Sequence, residues 1–325
     1  LLGFFLDKRR ALREDFTINI LTEGVVYKAE DPAGNILALK TLRPDRGATE
    51  EFRQRFKREV ETVQQLKHPN ILPIREVGEA DVYPFFTMEF IAQGNLGEHR
   101  SRFLGDPMAA ARLVEQIARG MQYAHDEGFL HSDLNPGNIL LAENGRPLIS
   151  DFGLAKTLGD DGDLTRTGQL LGTLPYMSPE QALGRVRSVG THSDLWALGV
   201  ILYELLAGER PFCAEDDVEL IEQIEADVPI RPNALRPEIP PALNEIVFKC
   251  LQKDPDDRYE KVGDLADDLA RWQAGLPPEL GRRSWPRQAW RRMVRHPRIA
   301  AVLTFIPNVF GANKKKNCPT EKPSN

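Results

Sequence analysis

The sequence predicts an α+β molecule of two lobes, with a strand-rich first part and a helix-rich remainder that change over near Gly94. Three observations carry this. Strand-like runs are concentrated before Gly94, helical periodicity dominates after it, and Leu195–Leu206 is apolar on nearly every face, as in a buried helix. In chain order, Val25-Val26-Tyr27 and Ile36–Lys40 form the arms of a hairpin that turns at Asp31-Pro32-Ala33-Gly34. From Glu50 to Leu66, Phe52, Phe56, Val60, Val63 and Leu66 recur at three- and four-residue steps, which predicts an amphipathic helix ended by His68-Pro69. Asn70–Val77 and Tyr83–Phe90 are strand-like, and Ala109–His125 is helical.

Composition narrows the class. The 325 residues are 41% hydrophobic, 28% charged and 8% aromatic, values that exclude collagen, coiled-coil rods and wholesale disorder. Cys213, Cys250 and Cys318 are widely spaced with no CxxC, so neither a disulfide framework nor a zinc knuckle is supported, and a reducing, cytosol-like compartment is expected. No run reaches the roughly 18 apolar residues of a clear membrane span. The start, LLGFFLDKRR, lacks both an initiator Met and a signal-peptide cleavage region, which suggests a fragment or a misassigned start. Charge is asymmetric: residues 282–325 carry eleven Lys and Arg against Glu321 alone, a net +10, while the other residues sum to −16. An acidic body argues against nucleic acid as its main partner, and the basic tail suits an anionic one.

Three polar clusters carry chemistry. Lys40 closes the strand-like Ala38-Leu39-Lys40, and Glu59 follows nineteen residues later within the predicted helix. A lysine that grips phosphate oxygens needs an acid to hold its flexible stem. In His131-Ser-Asp-Leu-Asn-Pro-Gly-Asn138, Asp133 and Asn138 lie five apart on a loop feeding an apolar strand. One can accept a hydroxyl proton while the other ligates magnesium. Ile149-Ser150-Asp151-Phe152-Gly153 sets a carboxylate just past a short strand, suited to a Mg²⁺ bridging phosphates. Singly, these clusters are also what a solvated strand-end lysine, an Asx-rich turn and a common tripeptide look like. The order Lys, Glu, HxDxxxxN, DFG makes coincidence very small.

In that order the chain resembles the protein kinase family, particularly the bacterial serine/threonine kinases related to the eukaryotic ones. The resemblance covers roughly residues 16–275. Gly24–Ala29 is similar to the end of the glycine-rich loop, Met88-Glu89-Phe90-Ile91 to the gatekeeper and hinge, and Gly172–Glu180 to the substrate-docking loop and its APE-type ending. Asp194–Gly199 resembles the helix that anchors the catalytic loop, and Arg258 the arginine that pairs with Glu180 in relatives.

The resemblance implies a bilobal protein-kinase fold, with an N-lobe of about 16–90 and a C-lobe of about 91–275. Residues 1–15 match poorly, and 276–325 form a basic tail with a short apolar run. It implies ATP and Mg²⁺ as cofactors and proteins as substrates. Lys40 would bind the α/β-phosphates, Glu59 would orient it, Asp133 would be the catalytic base, and Asn138 and Asp151 would hold the metal. Gly24 would belong to the phosphate lid. Adenine would bond the backbone of Glu89 and Ile91, beside Met88 and between walls that include Val26, Ala38 and Leu140.

The chain departs from the family pattern in places. The earlier glycines of GxGxxG should fall where Asn19 and Leu21 stand. Ser132 replaces an Arg that commonly holds a phosphorylated activation loop, implying weaker dependence on loop phosphorylation. Asn135 replaces a Lys that normally contacts the transferred phosphoryl group, implying a slower kcat, by about 1–3 kcal/mol of barrier. Thr165 and Thr167 occupy positions where relatives autophosphorylate, and are also simple solvated loop threonines.

Arg282–Arg298 holds seven arginines and no acid, with Trp285 and Trp290 interleaved, ahead of the apolar Ile299–Ile306. This resembles the cytoplasmic flank of a membrane anchor, although Pro307 stops the run short of a bilayer. Peripheral contact with anionic lipid at the inner face of the cytoplasmic membrane competes with a disordered basic tail. The expected activity is ATP-dependent serine/threonine protein phosphorylation. The alternatives are a pseudokinase acting as a nucleotide-binding scaffold and, more weakly, a small-molecule kinase.

Overall fold

Alternating side chains along Gly24–Glu30 (β2) and Ile36–Leu42 (β3) build the expected hairpin, in antiparallel register with Val26 opposite Lys40 and Lys28 opposite Ala38. The turn is set by Asp31, whose Oδ1 accepts from the Ala33 and Asn35 amides at 2.9 and 2.8 Å, and by Gly34 at φ 86°. The computed structural model describes residues 19–20, 24–31, 33–42, 50–80, 83–152 and 173–280. A two-residue strand, Asn19–Ile20 (β1), pairs with β2 where the sequence matched the family poorly. Ile74–Ala80 (β4) and Tyr83–Glu89 (β5) complete an antiparallel sheet of order β1-β2-β3-β5-β4.

Register places Val26, Ala38, Lys40, Phe86 and Met88 on one face of this sheet. That face packs on helix α1, Glu50–Val63, through Phe56 and Val60. The helix ends before Leu66, which lies in a following turn (Leu66 N donates to Val63 O, 3.0 Å) and is buried in the core of the lower lobe. The strand expected from Asn70 begins only at Ile74. Residues 70–72 instead pair with the lower lobe: Ile149 N donates to Asn70 O and Leu72 N to Ile149 O, both at 2.9 Å. Period-2 hydrophobicity records that these residues are extended, not which strand they meet.

The lower lobe is helical: α2 Leu96–His99, α3 Pro107–Asp126, α4 Pro179–Ala182, α5 Thr191–Ala207, α6 Asp217–Ala226, α7 Pro232–Leu235, α8 Pro241–Cys250 and α9 Val262–Gln273. A two-stranded hairpin, Ile139–Leu141 (β6) with Pro147–Ile149 (β7), lies against α3. Helix α5 is buried from Ser193 to Ala207, in keeping with its all-round apolar sequence, and α3 and α8 pack on it. A Cβ on Gly199 would stand 2.5 Å from Cys250 Cβ, so a glycine is what lets α8 approach so closely.

The start of α4 is fixed by a buried ion pair. Arg258 Nη1 and Nη2 donate to Glu180 Oε1 and Oε2 at 2.8 and 2.9 Å, and the guanidinium also reaches the carbonyls of Gln252 and His192. Burial pushes the Glu180 carboxyl up, but bonds and charge from Arg258 more than offset this and hold it below the ordinary value. The stabilisation this gives is present above the ordinary glutamate range and is lost as pH falls through the lowered value. Removing one partner strands the other charge, so Arg258→Ala should cost about 3–5 kcal/mol in equilibrium urea unfolding.

Candidate active site

The loop between α3 and β6 is pinned by one carboxylate. Asp194, 1% exposed near the start of α5, accepts from the backbone N–H of His131 (3.0 Å) and Ser132 (2.7 Å), and its Oδ2 also bonds His125 Nε2 at 2.8 Å. Burial alone would raise the Asp194 carboxyl, yet the donors around it hold it below the ordinary value. This grip accompanies an unusual backbone: Ser132 sits at φ 65°, a left-handed conformation that costs a non-glycine residue about 1–2 kcal/mol. His131 is fully buried, bonds Ser150 O through Nε2 at 2.9 Å, and packs its ring on Phe152 at 5.0 Å between centroids.

The loop and the end of the β6–β7 hairpin are then tied together. Ser150 N and Oγ both donate to Asn138 O, at 2.9 and 3.2 Å, which brings Asn138 beside Asp151. Asp151 is itself left-handed (φ 61°), and Phe152 beyond it turns into the core. The carboxylate is directed to the upper lobe, where Lys40 Nζ bonds Oδ1 at 2.6 Å. Lys40 is buried, so this contact joins the lobes in a site largely shielded from water.

Asp133 faces the same space. Asn138 Nδ2 donates to its Oδ2 at 3.1 Å and to its carbonyl at 2.9 Å, and Thr173 also bonds the carboxyl. Burial pushes the Asp133 carboxyl above its ordinary value, while His131, Asn138 and Thr173 draw it only partway back. Ser132, Asp133, Thr173, Tyr176, Met177 and Gln181 line a small cleft.

The apolar residues expected around adenine belong to one cluster: Ala38 and Met88 are buried within it, and Val26, Ile91 and Leu140 are half-buried against it. Gly24 opens β2 opposite Leu42, and Glu89 closes β5 with an exposed side chain. Glu59 lies on α1, but its side chain is outside the described residues, as are Leu21, Gly153, Thr165, Thr167, Gly172 and the Arg282–Arg298 segment.

Two sets of contacts were not anticipated. Gln181 Nε2 donates to Ser132 O at 2.7 Å, while its Oε1 accepts from Ser178 N and Oγ, linking the docking segment to the catalytic loop. The Ser178-x-x-Gln181 spacing of a capping box was the available signal. Glu204 of α5 accepts from Tyr176 Oη (2.7 Å) and Arg100 Nη1 (2.6 Å), a trio spanning 104 positions that no local pattern marks.

Asp194→Ala would leave three donors unpaired in a dry interior. It should cost about 3–5 kcal/mol in urea unfolding and speed amide exchange at His131 and Ser132. Unchanged exchange there would remove Asp194 as the anchor.

Comparison with known proteins agrees with this geometry. The Protein kinase domain family matches residues 22–267. A probable serine/threonine-protein kinase of Streptomyces coelicolor, SCO3848, is 36% identical over 260 residues, covering 78% of this chain and 38% of the relative. The serine/threonine-protein kinase PknB of Mycolicibacterium smegmatis is 34% identical over 253 residues, covering 75% and 40%. The chain thus spans about two fifths of the length of these curated relatives. Among solved structures, the Mycobacterium tuberculosis PknI kinase domain aligns with a TM-score of 0.59 at 28% identity, covering 79% of this chain and 96% of that one. A Rad53 structure in complex with AMP-PNP aligns at 0.63 and 24% identity over 78% and 64%, a likeness of fold alone. By family match and by relatives, the chain belongs to the protein kinase domain family.

Proposed function

We propose that this chain transfers the γ-phosphoryl group of ATP to Ser or Thr hydroxyls of protein substrates, with Asp133 as general base. The observation that carries the reading is the convergence of Lys40, Asp133, Asn138 and Asp151 on one shielded cleft between the lobes. Members of the family use ATP and Mg²⁺ generally, and the residues here fit both. Among the described residues, no hydrogen bond engages Asn138 Oδ1 or Asp151 Oδ2, two hard oxygens of the kind Mg²⁺ takes. When bound, the cation neutralises charge on the β- and γ-phosphates.

The chain's own residues do the remainder. Lys40 exchanges its bond to Asp151 for the α/β-phosphates, with Glu59 as its partner on α1. Val26, Ala38, Met88, Ile91 and Leu140 enclose the base, Gly24 belongs to the lid, and the backbone of Glu89 and Ile91 supplies the hinge bonds. Asp133 takes the hydroxyl proton, and Thr173 and Tyr176 border the acceptor's approach. The catalytic body runs over about residues 16–275. The relatives named above are kinases by name, and nothing among the described residues favours the pseudokinase.

Asp133→Asn and Asp151→Asn should each lower transfer to Ser/Thr by about 10²–10⁴-fold, measured with γ-labelled ATP and a generic protein substrate. The base must be ionised, so the acid limb of kcat should lie above the ordinary aspartate range, and Thr173→Val should move it higher. In the same assay dephosphorylated enzyme should keep most of its rate, given Ser132. Label that persists in Asp133→Asn would sink the assignment of the base.

The Arg282–Arg298 segment is proposed to meet an anionic membrane face, on its seven arginines, its two tryptophans and the acidic body behind it. No helix among the described residues is long and apolar enough to cross a membrane. The full chain should sediment with acidic but not neutral vesicles, and replacing the seven arginines by glutamine should abolish this. Equal sedimentation with both vesicle types would count against lipid.

A further inference from the structure

We infer that Asn135 is a positioning residue for the general base: it caps the turn and pairs the Asp133 carbonyl beside Asn138, so that Asp133 and Asn138 are held in place with Asn138 Oδ1 open to a divalent cation. The inference rests on the kinase reading of the cleft. The sequence suggested that Asn135, standing where relatives carry lysine, offers the phosphoryl group a weaker, uncharged donor. The side chain does something else. Its Oδ1 accepts from Gly137 N at 2.9 Å, capping the short turn Pro136–Asn138, and its Nδ2 donates to Asp133 O at 3.0 Å. Both polar ends are committed to the loop.

Gly137 is part of the same device, since a Cβ there would stand 3.0 Å from Asn135 Oδ1. The Asp133 carbonyl has a second donor, Asn138 Nδ2 at 2.9 Å, so its two lone pairs are filled by amides on either side of the turn. Asn138 therefore has three demands on one side chain: the Asp133 carbonyl, the Asp133 carboxylate at 3.1 Å, and a cation at Oδ1. Its Nδ2 meets the first two demands, which leaves Oδ1 open for the third. Without the Asn135 amide the carbonyl keeps one donor of two, and Asn138 alone holds the Asp133 backbone. A lysine could reach the carbonyl but could not accept from Gly137 N.

The test uses the full chain with Asn135→Ser and Asn135→Lys. A serine hydroxyl can still accept from Gly137 N but is too short to reach Asp133 O. Asn135→Ser should lower kcat about tenfold and raise the free Mg²⁺ needed for half-maximal rate several-fold, with KM for ATP and Tm little changed. Asn135→Lys should also be slower than the parent and need more Mg²⁺. Two outcomes overturn the inference: Asn135→Lys faster than the parent, which would show that the site wants charge on the phosphoryl group, or an unaltered Mg²⁺ requirement in both variants. Asp133→Asn is run beside them, because transfer surviving in that variant would mark failure of the base assignment rather than of Asn135.

Discussion

A single carboxylate with almost no access to water holds the catalytic loop in shape. Asp194 is charged in a place where charge is expensive, and among the described residues it is compensated by the donors it has gathered: two consecutive backbone amides and an imidazole. Those amides belong to the residues just before Asp133, and the second of them lies in a left-handed conformation. The loop geometry and the burial of Asp194 therefore support each other. Around this centre the site is assembled by short steps. His131 reaches Ser150, Ser150 reaches Asn138, and Asn138 reaches Asp133, so the side chains proposed as base and metal ligand are set by one continuous network.

The upper lobe is joined to this network at two points of different character. The pairing of Asn70 and Leu72 with Ile149 is backbone to backbone, backed by Asn70 Nδ2 donating to Pro147 O at 3.0 Å. The Lys40–Asp151 contact is a side-chain ion pair, which a bound polyphosphate and its cation can outcompete. One joint is backbone pairing and the other an ion pair between side chains, an arrangement that suits the proposed nucleotide cleft.

How far the sequence revealed this depended on whether residue type or side-chain direction carried the meaning. Lys40, Asp133, Asn138 and Asp151 were legible because their order and spacing are restrictive, and the hairpin turn because Asp31 and Gly34 have turn chemistry of their own. Arg258 and Glu180 were legible through resemblance. Arg100 with Glu204 was not, because contacts between residues so distant in sequence leave no periodic trace. Asn135 was legible as a substitution, while its inward direction comes from the cap it makes on Gly137, a turn signal in Asn135-Pro-Gly137 that the sequence reading did not use. The start of β4 shifted to Ile74 because alternation does not name a strand's partner.

The Glu180–Arg258 pair also bears on how the protein is made. Its two halves are 78 positions apart, and chains emerge from the ribosome at roughly 5–20 residues per second, a lag of about 4–16 s. Through that interval the residues of the catalytic loop have already been synthesised, but the docking segment has no arginine to seat it. The nascent polypeptide thus lacks this clasp until the far end of its lower lobe arrives, and an incomplete product broken off before Arg258 cannot form it.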